Sequence, residues 1–115
     1  AAPVGAFAVP AVGPNVDVNG ITTINVANIN QLKIFDSNPA SVDEIFTLTG
    51  GVVGQNVIIQ LLNNINFRAN NAGAANTLQW GRGSAANSTR TQFATEALHF
   101  FYDGNAWFLL DRYTL

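Results

Sequence analysis

Residues 98–110 read LHFFYDGNAWFLL, and this stretch decides the fold class. Two runs rich in aromatic and aliphatic residues, 98–102 and 107–110, flank the turn sequence DGNA at 103–106. An Asp-Gly pair tolerates the positive φ angles of a tight turn, so the stretch predicts a β-hairpin. Its aromatic side chains are expected to cap the hydrophobic core.

A period of two, typical of β-strands, extends back through the chain as far as Gly20. Further strands are predicted at residues 21–26, 31–35, 45–49, 56–62, 65–67 and 77–80. The run at 56–62 is the most apolar, which predicts a strand buried on both faces. Residues 89–97 could hold a helical turn.

About eight short strands separated by turn signals predict an all-β protein, an antiparallel β-sandwich, jelly roll or small barrel. The 115 residues fit one domain, at residues 20–115, preceded by a distinct segment at 1–19. That segment reads AAPVGAFAVPAVGPNVDVN, and its prolines and glycines favour extended backbone. It is also apolar, so we expect an extended N-terminal arm that lies on its own domain, on a sister subunit or on a partner. The contact residues predicted for the arm are Val4, Phe7, Val9 and Val12.

Charged residues make up only 10% of the chain, against about 25% in an average soluble domain. Asparagine alone occurs 15 times, so amides replace much of the missing charge. An amide-rich surface packs against neighbouring subunits without desolvating many ions, which favours a protein that works within an assembly. The net charge is −2 with scattered basic residues, which argues against nucleic-acid binding. No apolar run approaches the roughly 20 residues needed to span a bilayer, so no membrane partner is expected.

Few residues suggest catalysis or metal binding. The single histidine, His99, alternates with Leu98 and Phe100 and is expected to point away from their face. With one histidine and no cysteine, the usual zinc sites are excluded. Asp36 with the pair at 43–44 could form a calcium site, but the spacing matches no calcium loop; Gly50-Gly51 more simply closes a strand than cradles phosphate. We therefore predict no enzyme, no catalytic residue, no metal and no cofactor.

Aromatic residues near asparagine-rich loops leave a binding function open. Trp80 and Arg82, beside the loop Asn70–Asn76, could contact a receptor or glycan by stacking and hydrogen bonding. Placement in the core or at a subunit interface is the competing explanation for the tryptophans and tyrosines of the chain.

Two stretches together resemble small β-rich domains of tailed-bacteriophage virion proteins, such as capsid cement proteins and domains of head fibres, tail fibres and tailspikes. One is the sequence FTLTGGVVGQNVIIQL at 46–61, in which Gly-Gly-x-x-Gly-Gln precedes an apolar strand. The other is the Tyr-Asp-Gly-x-x-Trp pattern within residues 98–110. The resemblance covers roughly residues 20–113.

This resemblance implies a homotrimer and a structural role in a virion. A short domain with an apolar arm best suits a capsid cement, or decoration, protein. It would be made in the cytoplasm of the host bacterium and bind the major capsid protein on the outside of the shell. The alternative is a tail or head fibre or tailspike domain that binds a host receptor or glycan.

Overall fold

A computed structural model describes residues 12–38, 44–70, 75–79, 88–93 and 95–114. Every regular element in these residues is a β-strand, which confirms the all-β class. The strands are β1 (Val12–Asp17), β2 (Thr23–Asn25), β3 (Gln31–Phe35), β4 (Glu44–Ile45), β5 (Thr47–Thr49), β6 (Asn56–Leu61), β7 (Ile65–Asn70), β8 (Leu78–Gln79), β9 (Ser88–Phe93), β10 (Glu96–Tyr102) and β11 (Trp107–Thr114).

Nine of these strands form one mixed sheet in the order β1-β3-β6-β10-β11-β8-β7-β4, with β9 also paired to β7. Strands β2 and β5 form a separate two-stranded sheet. The antiparallel pairing expected from the sequence is present in β6-β10, β10-β11 and β7-β9. The pairs β1-β3, β3-β6, β2-β5, β4-β7, β7-β8 and β8-β11 are parallel, so the architecture is mixed rather than antiparallel.

Three of the parallel pairs, β2-β5, β3-β6 and β4-β7, arise because two successive coils of chain stack on each other. Strands β2, β3 and β4 form the first coil, and β5, β6 and β7 lie beside them in the same order. Residue 23 pairs with 47, 31 with 58, and 44 with 66, so one coil adds 22 to 27 residues. This is the stacking principle of β-solenoids, in which each coil contacts its neighbour.

After the two coils, a third layer, formed by strands β9 and β10, runs in the opposite direction. Strand β9 pairs antiparallel with β7, and β10 pairs antiparallel with β6. The helical turn considered for residues 89–97 is therefore wrong: Ser88–Phe93 is the strand β9, and β10 begins at Glu96. Pairing with β7, in which residue 65 lies opposite Phe93, determines this conformation instead of a local helical preference.

Buried residues of the two coils lie directly opposite each other, and these pairs form the centre of the core. The pairs, each buried on both sides, are Ile24/Leu48, Leu32/Ile59, Ile34/Leu61 and Ile45/Phe67. Directly opposed apolar side chains are the unit of sheet stabilisation, so these pairs also fix the register of the coils.

Burial of β6 differs from the prediction of a strand buried on both faces. Val57, Ile59 and Leu61 are fully buried, whereas Ile58 is 38% and Leu62 is 41% exposed. One face of this apolar run packs in the core and the other faces outward.

Candidate functional site

The two stretches that carry the phage resemblance pack against each other. A Cβ atom placed on Gly51 would lie 2.5 Å from Cζ2 of Trp107 and 3.0 Å from Cδ2 of Tyr102. The Gly54 N–H donates to the Tyr102 carbonyl at 2.9 Å, and the Tyr102 N–H donates to the Gln55 carbonyl at the same distance. The residue types in both motifs are therefore explained by one close packing contact between the 50–55 loop and the hairpin.

Gln55 links this loop to the first coil. Its side chain is buried, and its Nε2 donates to the carbonyls of Val26 and Ile29, both at 2.8 Å. Its Oε1 accepts from the Val52 N–H at 3.0 Å. These three bonds satisfy backbone groups of two different loops, so the role of the Gln55 amide is structural.

The polar atoms of the buried aromatic residues also have structural partners. Trp107 is fully buried, and its Nε1–H donates to the Leu48 carbonyl at 2.9 Å. The Tyr102 hydroxyl lies 3.0 Å from Oδ1 of Asn76 and 3.1 Å from the Gly104 carbonyl, and it donates its single hydrogen to these two acceptors in turn or shares it between them. The Tyr102 and Trp107 rings stack with centroids 4.6 Å apart, so both belong to the core rather than to an open sugar-binding surface.

Asp103 organises the turn of the predicted hairpin, which the structure confirms. Its Oδ1 accepts from the N–H groups of Asn105 and Ala106, both at 2.8 Å, and Gly104 follows with φ of +101°. The hydrogen bonds from Ala106 and Asn105 hold the pKa of Asp103 below its usual value. This carboxylate is therefore a turn residue, as the sequence predicts.

Two further carboxylates form bidentate ion pairs with arginines. Glu44 pairs with Arg68, and Glu96 pairs with Arg112 through contacts of 3.0 Å at both carboxylate oxygens. Glu44, one member of the considered calcium site, therefore already has a cationic partner, while residue 43 lies outside the described residues. Within the described ranges, no group of three or more histidine, cysteine, aspartate or glutamate side chains could hold a metal ion. In the same ranges no helix is long and apolar enough to cross a membrane.

Of the predicted partner-binding residues, Val12 alone lies in the described part of the chain. It begins β1, pairs in register with Gln31 and is 71% exposed. Val4, Phe7 and Val9 lie outside the described residues. So do Trp80 and Arg82, the two residues considered for receptor or glycan binding.

The surface that Val12 joins is the outward side of β1, β3, β6, β10 and β11, here called the outer face. Across it run two rows of paired residues, Val12-Gln31-Ile58-His99-Asp111 and Asn15-Lys33-Gln60-Ala97-Tyr113. Leu98 and Phe100 are buried while His99 is half-buried, so the histidine points outward as predicted. His99 Nε2 lies 2.8 Å from Asn56 Oδ1, an internal hydrogen bond on this face.

The outer face is low in charge and includes several exposed apolar residues. Ile58 on β6 is 38% exposed, and Leu110 and Tyr113 on β11 are 56% and 49% exposed. Sequence reasoning missed Ile58 because it lies in an unbroken apolar run. Sequence reasoning also missed the exposure of Leu110. The register between β10 and β11 shifts between His99 and Phe100, and this shift places Leu110 in a bulge.

A shallow cleft of about 70 Å³ lies at one side of the outer face. Its walls come from β1, β3 and β6, and the lining residues are Val12, Gln31, Leu32, Lys33, Ile58 and Gln60. The side chains around the cleft are aliphatic or amide except for the Lys33 ammonium, so the arrangement suits packing and hydrogen bonding.

Comparison of the sequence with protein-family models and with curated proteins, and of the structure with solved structures, finds no match.

Proposed function

We propose that this chain is a non-enzymatic structural protein of a tailed-bacteriophage particle, which binds as a homotrimer to the outside of the capsid and stabilises it. The observation that carries the proposal is the outer face. It joins five strands, has few charges, and includes the exposed apolar residues Val12, Ile58 and Leu110. Surfaces of this composition lose little free energy of ion hydration when a protein covers them.

The assignment to a phage particle rests on the resemblance of the 46–61 and 98–110 stretches to domains of virion proteins. In this proposal residues 1–11 form the rest of the apolar arm and contact the major capsid protein through Val4, Phe7 and Val9. Binding to the closed shell and not to its separated subunits stabilises the shell by mass action. The finer fold prediction, a sandwich, jelly roll or small barrel with an extended N-terminal arm, also belongs to this proposal; a nine-stranded sheet around one hydrophobic core favours the barrel form.

The test is co-sedimentation of the purified chain with shells assembled from the major capsid protein of the same phage. We expect the full chain to bind the shells and raise their temperature of disruption. A variant lacking residues 1–11 keeps β1, which begins at Val12, and is expected to fold but to bind the shells weakly. Absence of shell binding by the full chain would contradict the cement function.

The second candidate is a fibre or tailspike domain that binds a host receptor or glycan. The stacked coils favour it, because a solenoid extends by adding coils and so suits an elongated fibre. Trp80→Ala and Arg82→Ala separate the two candidates. In the fibre function these substitutions abolish binding to host cells or to a glycan array while self-association survives, whereas in the cement function they leave shell binding unchanged.

A further inference from the structure

The outer face has two unlike patches on opposite sides of β10. The first is the cleft lined by Val12, Lys33 and Ile58, which we call the β6 groove. The second is the exposed group Leu110, Asp111 and Tyr113, which we call the β11 ridge. Both patches belong to one continuous sheet, with β10 between β6 and β11.

Shape distinguishes the two patches. Leu110 stands in the bulge of β11 with 56% of its surface exposed, and Tyr113 is 49% exposed. The β6 groove has a volume of about 70 Å³, several times the about 10–15 Å³ that one water molecule needs. The groove therefore has room for atoms of a side chain, and Val12, Leu32 and Ile58 offer aliphatic contacts to one such as Leu110.

Charge distinguishes them as well. Among the described residues of the outer face, the groove has the cation Lys33 and the ridge has the anion Asp111. Asp111 accepts from the Arg112 N–H, and its hydrogen bond and charge raise the pKa of Tyr113. The remaining charge, Asp17, lies at the far end of β1 and accepts from the N–H groups of Asn19 and Ser37.

The ridge cannot reach the groove of its own chain. Neighbouring strands of a sheet are about 4.8 Å apart, and side chains on one face stand side by side rather than facing each other. Complementary patches on one surface instead allow the ridge of one copy to meet the groove of the next. When the ridge of each copy enters the groove of a further copy, the contact is heterologous and generates a closed ring if the rotation between copies closes, whereas reciprocal exchange between two copies gives a two-fold dimer.

We infer that a second copy of this chain occupies the β6 groove, with its Leu110 in the groove and its Asp111 beside Lys33. The number of copies, three, is taken from the proposed function. The new inference is the identity of the surface that joins one copy to another. The polar pair at the centre of the face, His99 and Asn56, is already hydrogen-bonded, so covering it leaves those two atoms paired.

Light scattering of the purified full chain across a dilution series tests the inference. The wild type is expected at three times the 12.2 kDa of one chain. Lys33→Asp and Asp111→Lys each place like charges together and are expected to weaken association about tenfold or more. The double variant Lys33→Asp/Asp111→Lys restores opposite charges, and its association is expected to return to within about threefold of the wild type, since pairs in contact couple.

Leu110→Asp tests the apolar part of the contact, and Val53→Asp is its matched control. Val53 is 72% exposed but lies in the 50–55 loop, away from the outer face. We expect Leu110→Asp to dissociate the oligomer and Val53→Asp to leave it intact, with unchanged circular dichroism for both.

The outcomes separate the inference from the proposed function. An oligomer that both charge reversals and Leu110→Asp leave unchanged would overturn the groove-ridge contact while the trimer stands. A wild type that stays monomeric throughout would overturn both the contact and the trimer of the proposed function.

Discussion

Gly51 lies against the indole of Trp107 so closely that a Cβ atom there would come within 2.5 Å of Cζ2. The contact joins the 50–55 loop to the hairpin, two segments about 50 residues apart in the chain, and it adds to the pairing of β6 with β10. The backbone of Gly51 is not in the left-handed region, so the requirement for glycine is steric.

We therefore expect Gly51→Ala to lower the free energy of unfolding by about 1–3 kcal/mol, the usual cost of an additional methyl group in a packed site. The measurement is chemical denaturation of this variant, of Trp107→Phe and of the double variant. The Phe ring lacks the indole atoms that a Cβ at position 51 would meet. Gly51→Ala should therefore lower the free energy of unfolding by less in the Trp107→Phe background. Gly54→Ala is the control: its cost comes from φ of +86° with nothing within 4 Å, so it should not couple to Trp107. Strict additivity of Gly51→Ala with Trp107→Phe would contradict the proposed clash.

Gln55 gives a second prediction, which concerns hydrogen bonds rather than space. Gln55→Leu replaces the amide with an apolar side chain of similar size and leaves the carbonyls of Val26 and Ile29 without their side-chain donor. Each buried polar group left unpaired costs about 1–3 kcal/mol, so we expect a loss of about 2–4 kcal/mol in denaturant unfolding. Asn56→Leu is a control for the same change at a half-buried neighbour, and it should cost less. Equal losses for the two variants would show that Gln55 has no special role.

Truncation of the adjacent residues Ile58 and Ile59 of β6 should affect different properties, self-association for Ile58 and stability for Ile59. Ile59 is fully buried opposite Leu32 and Leu98, so Ile59→Ala is expected to cost about 2–5 kcal/mol in stability. Ile58 faces outward at 38% exposure, so Ile58→Ala should cost far less in the folded monomer but weaken self-association. Thermal unfolding and light scattering measure the two effects separately. If Ile58→Ala proved as destabilising as Ile59→Ala, the assignment of the two faces of β6 would be wrong.

Asp103 predicts an acid dependence of stability. Its pKa in the folded protein is depressed by the N–H groups of Ala106 and Asn105, so it binds a proton less readily when folded than when unfolded. Its contribution to stability is therefore complete above its unfolded pKa of about 3.9 and is lost as pH falls through the lower folded pKa. Asp103→Asn keeps an acceptor oxygen but cannot titrate, so its unfolding temperature should fall less than that of the wild type between about pH 5 and pH 2. Parallel pH curves for the two proteins would contradict this role.

The sequence predicts the local features of the fold better than the long-range pairing. The hairpin at 98–110 follows from Asp103-Gly104 and its flanking aromatic residues, because turn chemistry acts over four residues. Parallel stacking of coils was not predicted, since no internal repeat marks strands 22 to 27 residues apart. The opposed buried pairs that fix this register, such as Leu32 and Ile59, are recognised only once the coils are superposed.

The outer face was equally hidden from sequence reasoning. In the run at 56–62, consecutive apolar residues mask the alternation that separates Ile58 from Ile59. The bulge that exposes Leu110 depends on the register between β10 and β11, which residue type alone does not specify. The apolar character of residues 1–19 predicts Val12 as a contact residue of the arm; the structure places Val12 on this face, and its contact with a partner stays a prediction.

The reversed direction of the third layer has a consequence for polymerisation. When coils stack in parallel, the last coil leaves an unpaired strand edge like the one before it. Further strands can pair with such an edge without limit, as they do in fibrils. On the side formed by β3 and β6, the next strand is β10, which runs backward and is itself covered by β11. Chain connectivity thus terminates growth on that side with the protein's own hairpin. The molecule thus gains protection against continued strand addition there from the direction of its own hairpin, in addition to the charged residues Asp111 and Arg112 on β11.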